Sequence, residues 1–248
     1  MYKKIIIIII FILLILNNIN INENFTNECK DLNIIQFNMT NKPKIVIIGG
    51  VHGNEYGPVY GIEKFIENNF IKNQNIKEGN IIFIPKVNVE GFEKSRYYTC
   101  LDNKYDINRN FNKENKNKNI QKILETIQNS DFVIDFHEGY DFHKINNKSI
   151  GSTIKYLNTP NSENICYHLI NDINKTIPEI NKKFIPIKEK DRYIKNSLSD
   201  YCNINNINYN LIEITGQNNK QHLDIRIKQT IIILNSLFKY FKLSDKNI

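Results

Sequence analysis

The sequence contains no tryptophan and only four cysteines, none of them at CxxC spacing. This spacing argues against a cysteine-based zinc site. The cysteines, at positions 29, 100, 166 and 202, are even in number and could pair in an oxidising compartment, with three possible connectivities.

The chain also lacks any basic stretch with interleaved aromatic residues, which a groove for single-stranded nucleic acid would require. Its formal net charge is +7, but the lysines are scattered along the whole length. Asparagine, isoleucine and lysine are over-used in segments of every type, as a biased nucleotide composition would produce. We therefore expect a lysine-rich solvated surface and no nucleic-acid partner.

No apolar run is long enough to cross a bilayer as a helix, which takes about 20 residues. The longest run extends from Ile5 to Leu16 and follows Lys3 and Lys4, a pattern typical of a secretory signal. A small-residue cleavage site does not follow it, so an uncleaved anchor remains the alternative. The sequence thus predicts a signal peptide or N-terminal anchor at residues 1–20, possible membrane association there, and a secreted or otherwise non-cytoplasmic protein.

The remaining chain is expected to contain a poorly ordered segment at residues 21–31 and a single catalytic domain at 32–248. Apolar runs predict strands at 32–38, 44–49, 80–87, 131–136, 183–187 and 209–214. Helical spacing predicts helices at 59–69, 119–128, 161–176, 198–203 and 222–243, with a long polar loop at 91–118. This alternation predicts an α/β fold with a mainly parallel, mixed central sheet and helices on both faces.

The most informative motif is GGVHGNE at residues 49–55, directly after the strand predicted at 44–49. It places His52 and Glu55 three residues apart at the carboxyl end of a buried strand, where open α/β sheets bind their ligands. Two histidines and one glutamate are a known ligand set for catalytic zinc. The motif therefore predicts half of a metal site.

A second strand-end histidine, His137, follows the buried strand predicted at 131–136. Alone it would more often be structural, but beside the pair of His52 and Glu55 it becomes the candidate third ligand. The next residue, Glu138, is an alternative catalytic base, although adjacent residues of a strand point to opposite faces.

The long polar loop carries the sequence YDINRNF at residues 105–111. Asn108 and Arg109 can grip a substrate carboxylate, because arginine makes two parallel hydrogen bonds with it. Asp106 could accept the spare ring N–H of a metal-bound histidine. Arg96, in the same loop, could hold substrate or polarise the scissile carbonyl.

The strand predicted at 209–214 contains Glu213 among apolar residues. A buried acid in this position is costly unless it is paired or functional. A glutamate near an activated water molecule can take its proton and pass it to the leaving amine. Glu213 is therefore the candidate general base, and an edge strand with Glu213 facing solvent is the alternative.

Along the chain, His-x-x-Glu, Asp-x-Asn-Arg-x-Phe, a strand-end Asp-x-His and a late strand Glu follow one another in that order. Together they resemble the zinc carboxypeptidase superfamily, which includes metallocarboxypeptidases, murein-peptide amidases and the succinylglutamate desuccinylase/aspartoacylase family. The resemblance implies one zinc ion held by His52, Glu55 and His137, with Glu213 as general base. It implies Asn108 and Arg109 as carboxylate binders, Arg96 as a catalytic aid at the carbonyl, and a zinc-carboxypeptidase-like fold.

Among these branches, HGNE and the block from Arg96 to Arg109 are most similar to the desuccinylase/aspartoacylase family. The resemblance thus implies a zinc-dependent hydrolase that cleaves an amide bond next to a free carboxylate, in a small-molecule or peptide substrate. A secretory leader and a single helix after Glu213 favour instead an exported metallocarboxypeptidase or murein-peptide amidase. A catalytically silent binding module is a further alternative.

Overall fold

The computed structural model describes residues 30–73, 76–97, 99, 104–114 and 117–243. Its strands are β1 (Ile35–Asn38), β2 (Lys44–Gly49), β3 (Asn80–Ile84), β4 (Phe132–Gly139), β5 (Thr153–Tyr156), β6 (Ile185–Lys188) and β7 (Tyr209–Thr215). Its α-helices are α1 (Tyr56–Ile66), α2 (Val89–Lys94), α3 (Lys118–Ile127), α4 (Pro160–Asn174), α5 (Leu198–Ile204) and α6 (Leu223–Tyr240).

All of these strands belong to one sheet in the order β1-β3-β2-β4-β7-β5-β6. Strands β3, β2, β4 and β7 run parallel to one another, and β5 and β6 form a second parallel pair. The antiparallel contacts are β1 with β3 and β5 with β7. The predicted mainly parallel, mixed sheet is therefore confirmed.

Helices cover both faces because side chains alternate along each strand. On β4, Phe132, Ile134 and Phe136 join the core that packs against α1, α4 and α6. Val133 faces the opposite core, which contains the apolar residues of α3 and α5. Since His137 continues the series of Val133, the side chains of the candidate site lie on the face covered by α3 and α5.

Two elements were not predicted from the sequence. Strand β5 is only four residues long and includes the polar residues Thr153 and Lys155, so its apolar signal is weak. Helix α2 lies partly within the predicted loop at 91–118, and the Asn88 side chain caps it by accepting a hydrogen bond from Gly91 N at 2.8 Å. Such short elements are stabilised by tertiary contacts rather than by propensity.

The predicted leader or anchor at 1–20 and most of the segment at 21–31 lie outside the described residues, as do Cys29 and Cys100. The last two residues of that segment make contacts, since Lys30 N donates to Glu90 Oε1 at 2.6 Å and Asp31 pairs with Lys122 at 3.1 Å. Cys166 and Cys202 are buried free thiols. Within the part of the chain that is described, no helix has the length and apolarity needed to cross a membrane.

Candidate metal centre and active site

His52 and Glu55 lie in the turn that joins β2 to α1. Gly50 has a φ of +62°, which favours glycine over residues with a side chain. At Gly53 an added Cβ would lie 2.0 Å from the backbone of Gly91, so the first turn of α2 packs directly on the motif. Glu55 occupies the N-cap position of α1 but makes no capping hydrogen bond with its side chain. Its carboxylate is therefore available to the two histidines.

The three predicted metal ligands converge. His52 Nδ1 lies 2.9 Å from Glu55 Oε1, and His137 Nδ1 lies 3.1 Å from Glu55 Oε2. The two Nδ1 atoms are 3.2 Å apart. All three side chains are buried, and their ligand atoms fall within 4.8 Å of one another, an arrangement that could hold a metal ion.

The surroundings of the two imidazoles fit a metal centre. His52 Nε2 lies 3.3 Å from Asp106 Oδ1, and His137 Nε2 lies 3.2 Å from Asp135 Oδ2. A carboxylate at each Nε2 favours a proton there, which leaves the Nδ1 lone pairs directed at the common centre. Glu55 Oε2, which is buried, has no hydrogen bond of its own. Two converging imidazole lone pairs and an unsatisfied carboxylate oxygen suit a divalent cation.

The ionisation of these groups is strongly coupled. Burial alone would raise the pKa of Glu55, but His52 and His137 hold it well below its usual range. Burial would lower the pKa of His137, while Asp135 and Glu55 raise it well above the ordinary value. The pocket thus stabilises positive charge at its centre, which a metal ion would supply in place of protons.

Glu213 lies beside His137. The two residues are partners in the parallel pairing of β4 with β7 and so point to the same face of the sheet. Burial raises the pKa of Glu213 to about 7, and the charge of Glu55 adds to this, while His137 opposes it. A carboxyl group with a pKa near neutrality is suited to accept and return a proton. The alternative of a solvent-facing edge position is wrong, because Glu213 is buried in a central strand.

Arg96 joins the metal-ligand cluster to an open cleft. Its Nη1 donates to Glu55 Oε1 at 2.8 Å and to Asn54 Oδ1 at 3.3 Å. Arg96 and Glu213 both line a cleft of about 670 Å³, which is within the size range of small-molecule sites. The structure therefore places the candidate base and a guanidinium on the wall of one cleft, and the same guanidinium contacts one of the three ligand side chains, Glu55.

Asn108 and Arg109 lie behind Asp106 and do not belong to the walls of this cleft as the described residues define them. Asn108 N donates to Asp106 Oδ1 at 2.9 Å, and Asn108 Oδ1 accepts from Leu198 N at 3.1 Å. Arg109 is 45 % exposed and lies 3.6 Å from Asp106 Oδ2. The amide oxygen of Asn108 thus accepts a hydrogen bond from the first residue of α5, while the guanidinium of Arg109 remains accessible to a ligand.

Two acidic neighbours of His137 have different roles. Asp135, which holds the ring of His137 and accepts a hydrogen bond from the Tyr209 hydroxyl at 3.0 Å, was not assigned from the sequence. Its position two residues before His137, on the same face of a strand, was the available signal. Glu138 faces the other side of the sheet, where it pairs with Arg226 of α6 at 2.7 Å, so it does not serve as a base at this site.

The fold and the clustered donor side chains define a metallo-hydrolase of the zinc carboxypeptidase-like superfamily. The sequence model of the succinylglutamate desuccinylase/aspartoacylase catalytic domain matches residues 41–178. This is more than half of the chain, and the protein therefore belongs to that family. The match includes every candidate site residue except Glu213, which lies beyond its end.

Solved structures support the same fold. Product-bound Csd4, a cell shape determinant protein from Helicobacter pylori, is 16% identical with a TM-score of 0.70, over 87% of this chain and 57% of that one. Its mDAP-bound form, described as a D,L-carboxypeptidase, is 17% identical with a TM-score of 0.66, over 84% and 54%. A candidate metallopeptidase from Shewanella amazonensis is 16% identical with a TM-score of 0.64, over 88% of both chains. The present chain thus spans a little over half the length of Csd4, and no curated protein sequence matched it.

Proposed function

We propose that this protein is a zinc-dependent hydrolase that cleaves an amide bond next to a free carboxylate, as a deacylase of the desuccinylase/aspartoacylase type. The observation that carries the proposal is the convergence of His52, Glu55 and His137 beside Glu213 at the carboxyl ends of β2, β4 and β7. The family match and the carboxypeptidase-like fold support hydrolytic chemistry at such a cluster.

Each residue of the cluster has a part in the proposed reaction. A zinc ion held by the two histidines and Glu55 would polarise the scissile carbonyl and activate water. Glu213 would accept a proton from the attacking water molecule and return it to the leaving nitrogen. Arg96 would donate hydrogen bonds to the carbonyl oxygen as negative charge develops there. Asn108 and Arg109 would hold the free carboxylate and so place the amide bond.

A second candidate is an exported metallocarboxypeptidase or murein-peptide amidase. It is favoured by the similarity of the fold to Csd4, which is described as a D,L-carboxypeptidase, and by the leader-like residues 1–20. The same side chains would serve this reaction, because both reactions hydrolyse an amide bond near a carboxylate. The two candidates differ only in what lies on the acyl side of that bond.

The test begins with the metal content of the purified protein and continues with two substrate panels, one of N-acyl amino acids and one of short peptides. We expect one zinc ion per chain and turnover in the first panel. Turnover restricted to the peptides would favour the carboxypeptidase. Glu213→Gln should lose activity, whereas Glu125→Gln, on the exposed side of α3, should retain it. Absence of stoichiometric zinc, or full turnover by Glu213→Gln, would contradict the proposal.

A further inference from the structure

The loop between β4 and β5 presents apolar and basic side chains to solvent. It is closed by the buried Ser149 Oγ, which donates to Asp141 O at 2.7 Å and accepts from Asp141 N at 2.9 Å. Within the loop Ile145 is 53% exposed, and Lys144 and Lys148 beside it are exposed as well. The hydrogen bonds of the loop therefore hold an isoleucine in water between two lysines.

Both ends of strand β6 lie beside this loop. Lys144 Nζ donates to the backbone oxygen of Ile180 at 3.1 Å, and Arg192 Nη2 donates to the backbone oxygen of Asn147 at 2.6 Å. Ile180 is 75% exposed, the largest value for a bulky apolar residue in the described chain. These contacts join the loop and the flanks of β6 into one surface. We refer to five of its residues as the basic-aliphatic patch: Lys144, Ile145, Lys148, Ile180 and Arg192.

This surface has an excess of positive charge. Segments 141–149 and 179–195 contain eight lysine or arginine residues and four acids. Three of the acids are taken up by ion pairs: Asp141 with Lys220, Glu179 with Lys182, and Glu189 with Lys155. Within the described residues, no ion pair joins a carboxylate to a cation of the basic-aliphatic patch. Folding thus concentrates lysines that are dispersed in the sequence, and the local field is positive.

Exposed isoleucines among unpaired cations match the chemistry of an anionic lipid surface. Aliphatic groups gain free energy by leaving water at the level of the headgroups, while lysine stems keep their charges among the phosphates. A nucleic acid would use the cations but not the isoleucines, because its binding surfaces stack bases on aromatic rings.

We propose that the basic-aliphatic patch docks on an anionic membrane surface, with Ile145 and Ile180 inserted at headgroup depth. The patch borders the cleft, since Lys148 and Arg192 also line it. Docking therefore brings the opening of the cleft to the lipid surface. The binding itself does not depend on hydrolysis at the metal centre, so it is tested without a substrate.

Cosedimentation of the full-length protein with lipid vesicles tests the docking. One set of vesicles is phosphatidylcholine alone, and the other contains about one third phosphatidylserine. We expect tighter binding to the anionic set, by about 5-fold for each contributing cation, and a loss of this preference at high salt. Equal binding to both sets would overturn the proposal.

Matched pairs of lysine variants separate the patch from the general charge of the protein. Lys144→Gln with Lys148→Gln should weaken binding to the anionic vesicles by about 10- to 30-fold. Lys64→Gln with Lys228→Gln, exposed on α1 and α6, should have little effect. All of these proteins contain residues 1–20, so any contribution of that segment is common to them. Equal losses in the two pairs would contradict docking through the patch.

The isoleucines distinguish a membrane from other polyanions. Ile145→Ser with Ile180→Ser should weaken binding to the anionic vesicles by about 10-fold. The matched pair, Ile71→Ser with Ile204→Ser, removes side chains that are 57% and 63% exposed and should leave binding unchanged. If the first pair has no effect, the proposal is wrong, and tight binding of a DNA duplex in that case would identify a nucleic acid as the partner.

Discussion

Replacing Glu213 by glutamine is expected to stabilise the metal-free protein while it removes most of the activity of the zinc-loaded protein. Burial raises the pKa of Glu213 from 4.5 to about 7, against the lowering effect of His137. Each pKa unit corresponds to about 1.4 kcal/mol, so the ionised carboxylate costs the folded state up to about 3 kcal/mol. Glutamine has a similar shape and cannot ionise, so the variant avoids this cost.

The sign of the pH dependence follows from the direction of the shift. Below about pH 4.5 the carboxyl group is protonated in both the folded and the unfolded chain, and the shift has no effect on stability. Between pH 4.5 and about 7 the unfolded chain releases the proton more readily than the folded chain does. Wild-type stability therefore falls relative to the Glu213→Gln variant across this range, and the full difference is present above pH 7.

The assay is urea denaturation of both proteins in excess chelator at pH 5 and pH 8. The difference in free energy of unfolding should increase by about 1 to 3 kcal/mol in favour of the variant at pH 8. Glu125→Gln, an exposed position, should show the same small difference at both values. With zinc restored, kcat should fall by about 10²- to 10⁴-fold in Glu213→Gln, the usual contribution of a general base. A pH-independent difference in stability would refute the reasoning.

Three further predictions concern the structure around the site. Asp135→Asn should weaken metal binding by about 10- to 100-fold in a chelator competition, because the ring of His137 loses its carboxylate; unchanged affinity would contradict this. Gly53→Ala should lower the free energy of unfolding by about 1 to 3 kcal/mol, because its Cβ meets the α2 backbone. Glu138→Ala should cost about 3 to 5 kcal/mol by leaving Arg226 buried without its partner, and the double variant with Arg226→Met should recover most of that loss. Denaturation curves measure the free energy of unfolding of the Gly53 and Glu138 variants. Glu138→Ala with wild-type stability would contradict the last prediction.

The ligand pair of His52 and Glu55 could be located from the sequence because its signal is local. A glycine-rich turn after a buried strand places both side chains at one end of the sheet, whatever the rest of the chain does. His137 was identified by the same strand-end logic, whereas Glu213 was identified as an acidic residue within an apolar strand. Their pairing across β4 and β7 adds the tertiary contact that a linear pattern does not contain.

Other features depended on packing. The short strand β5 carries a weak apolar signal, yet it places Lys155 beside the cleft and borders the strand of Glu213. The ion pair between Glu138 and Arg226 joins residues 88 positions apart. It identifies Glu138 as a structural acid, on the face of the sheet opposite to the candidate base Glu213. Asp106 was suggested by its loop, but which histidine it contacts is decided only by the folded backbone.

The sequence by itself determined the α/β class, the order of most strands and helices, and the residue types able to hold a metal. These properties depend on the periodic spacing of apolar residues and on the conformational preferences of individual residues, both of which can be recognised from residues close together in the sequence. The tertiary structure decided which acids face the metal centre, how burial raises the pKa of Glu213, and where the cations of the cleft converge. Electrostatic environment depends on distances between residues far apart in the chain, so it exists only after folding.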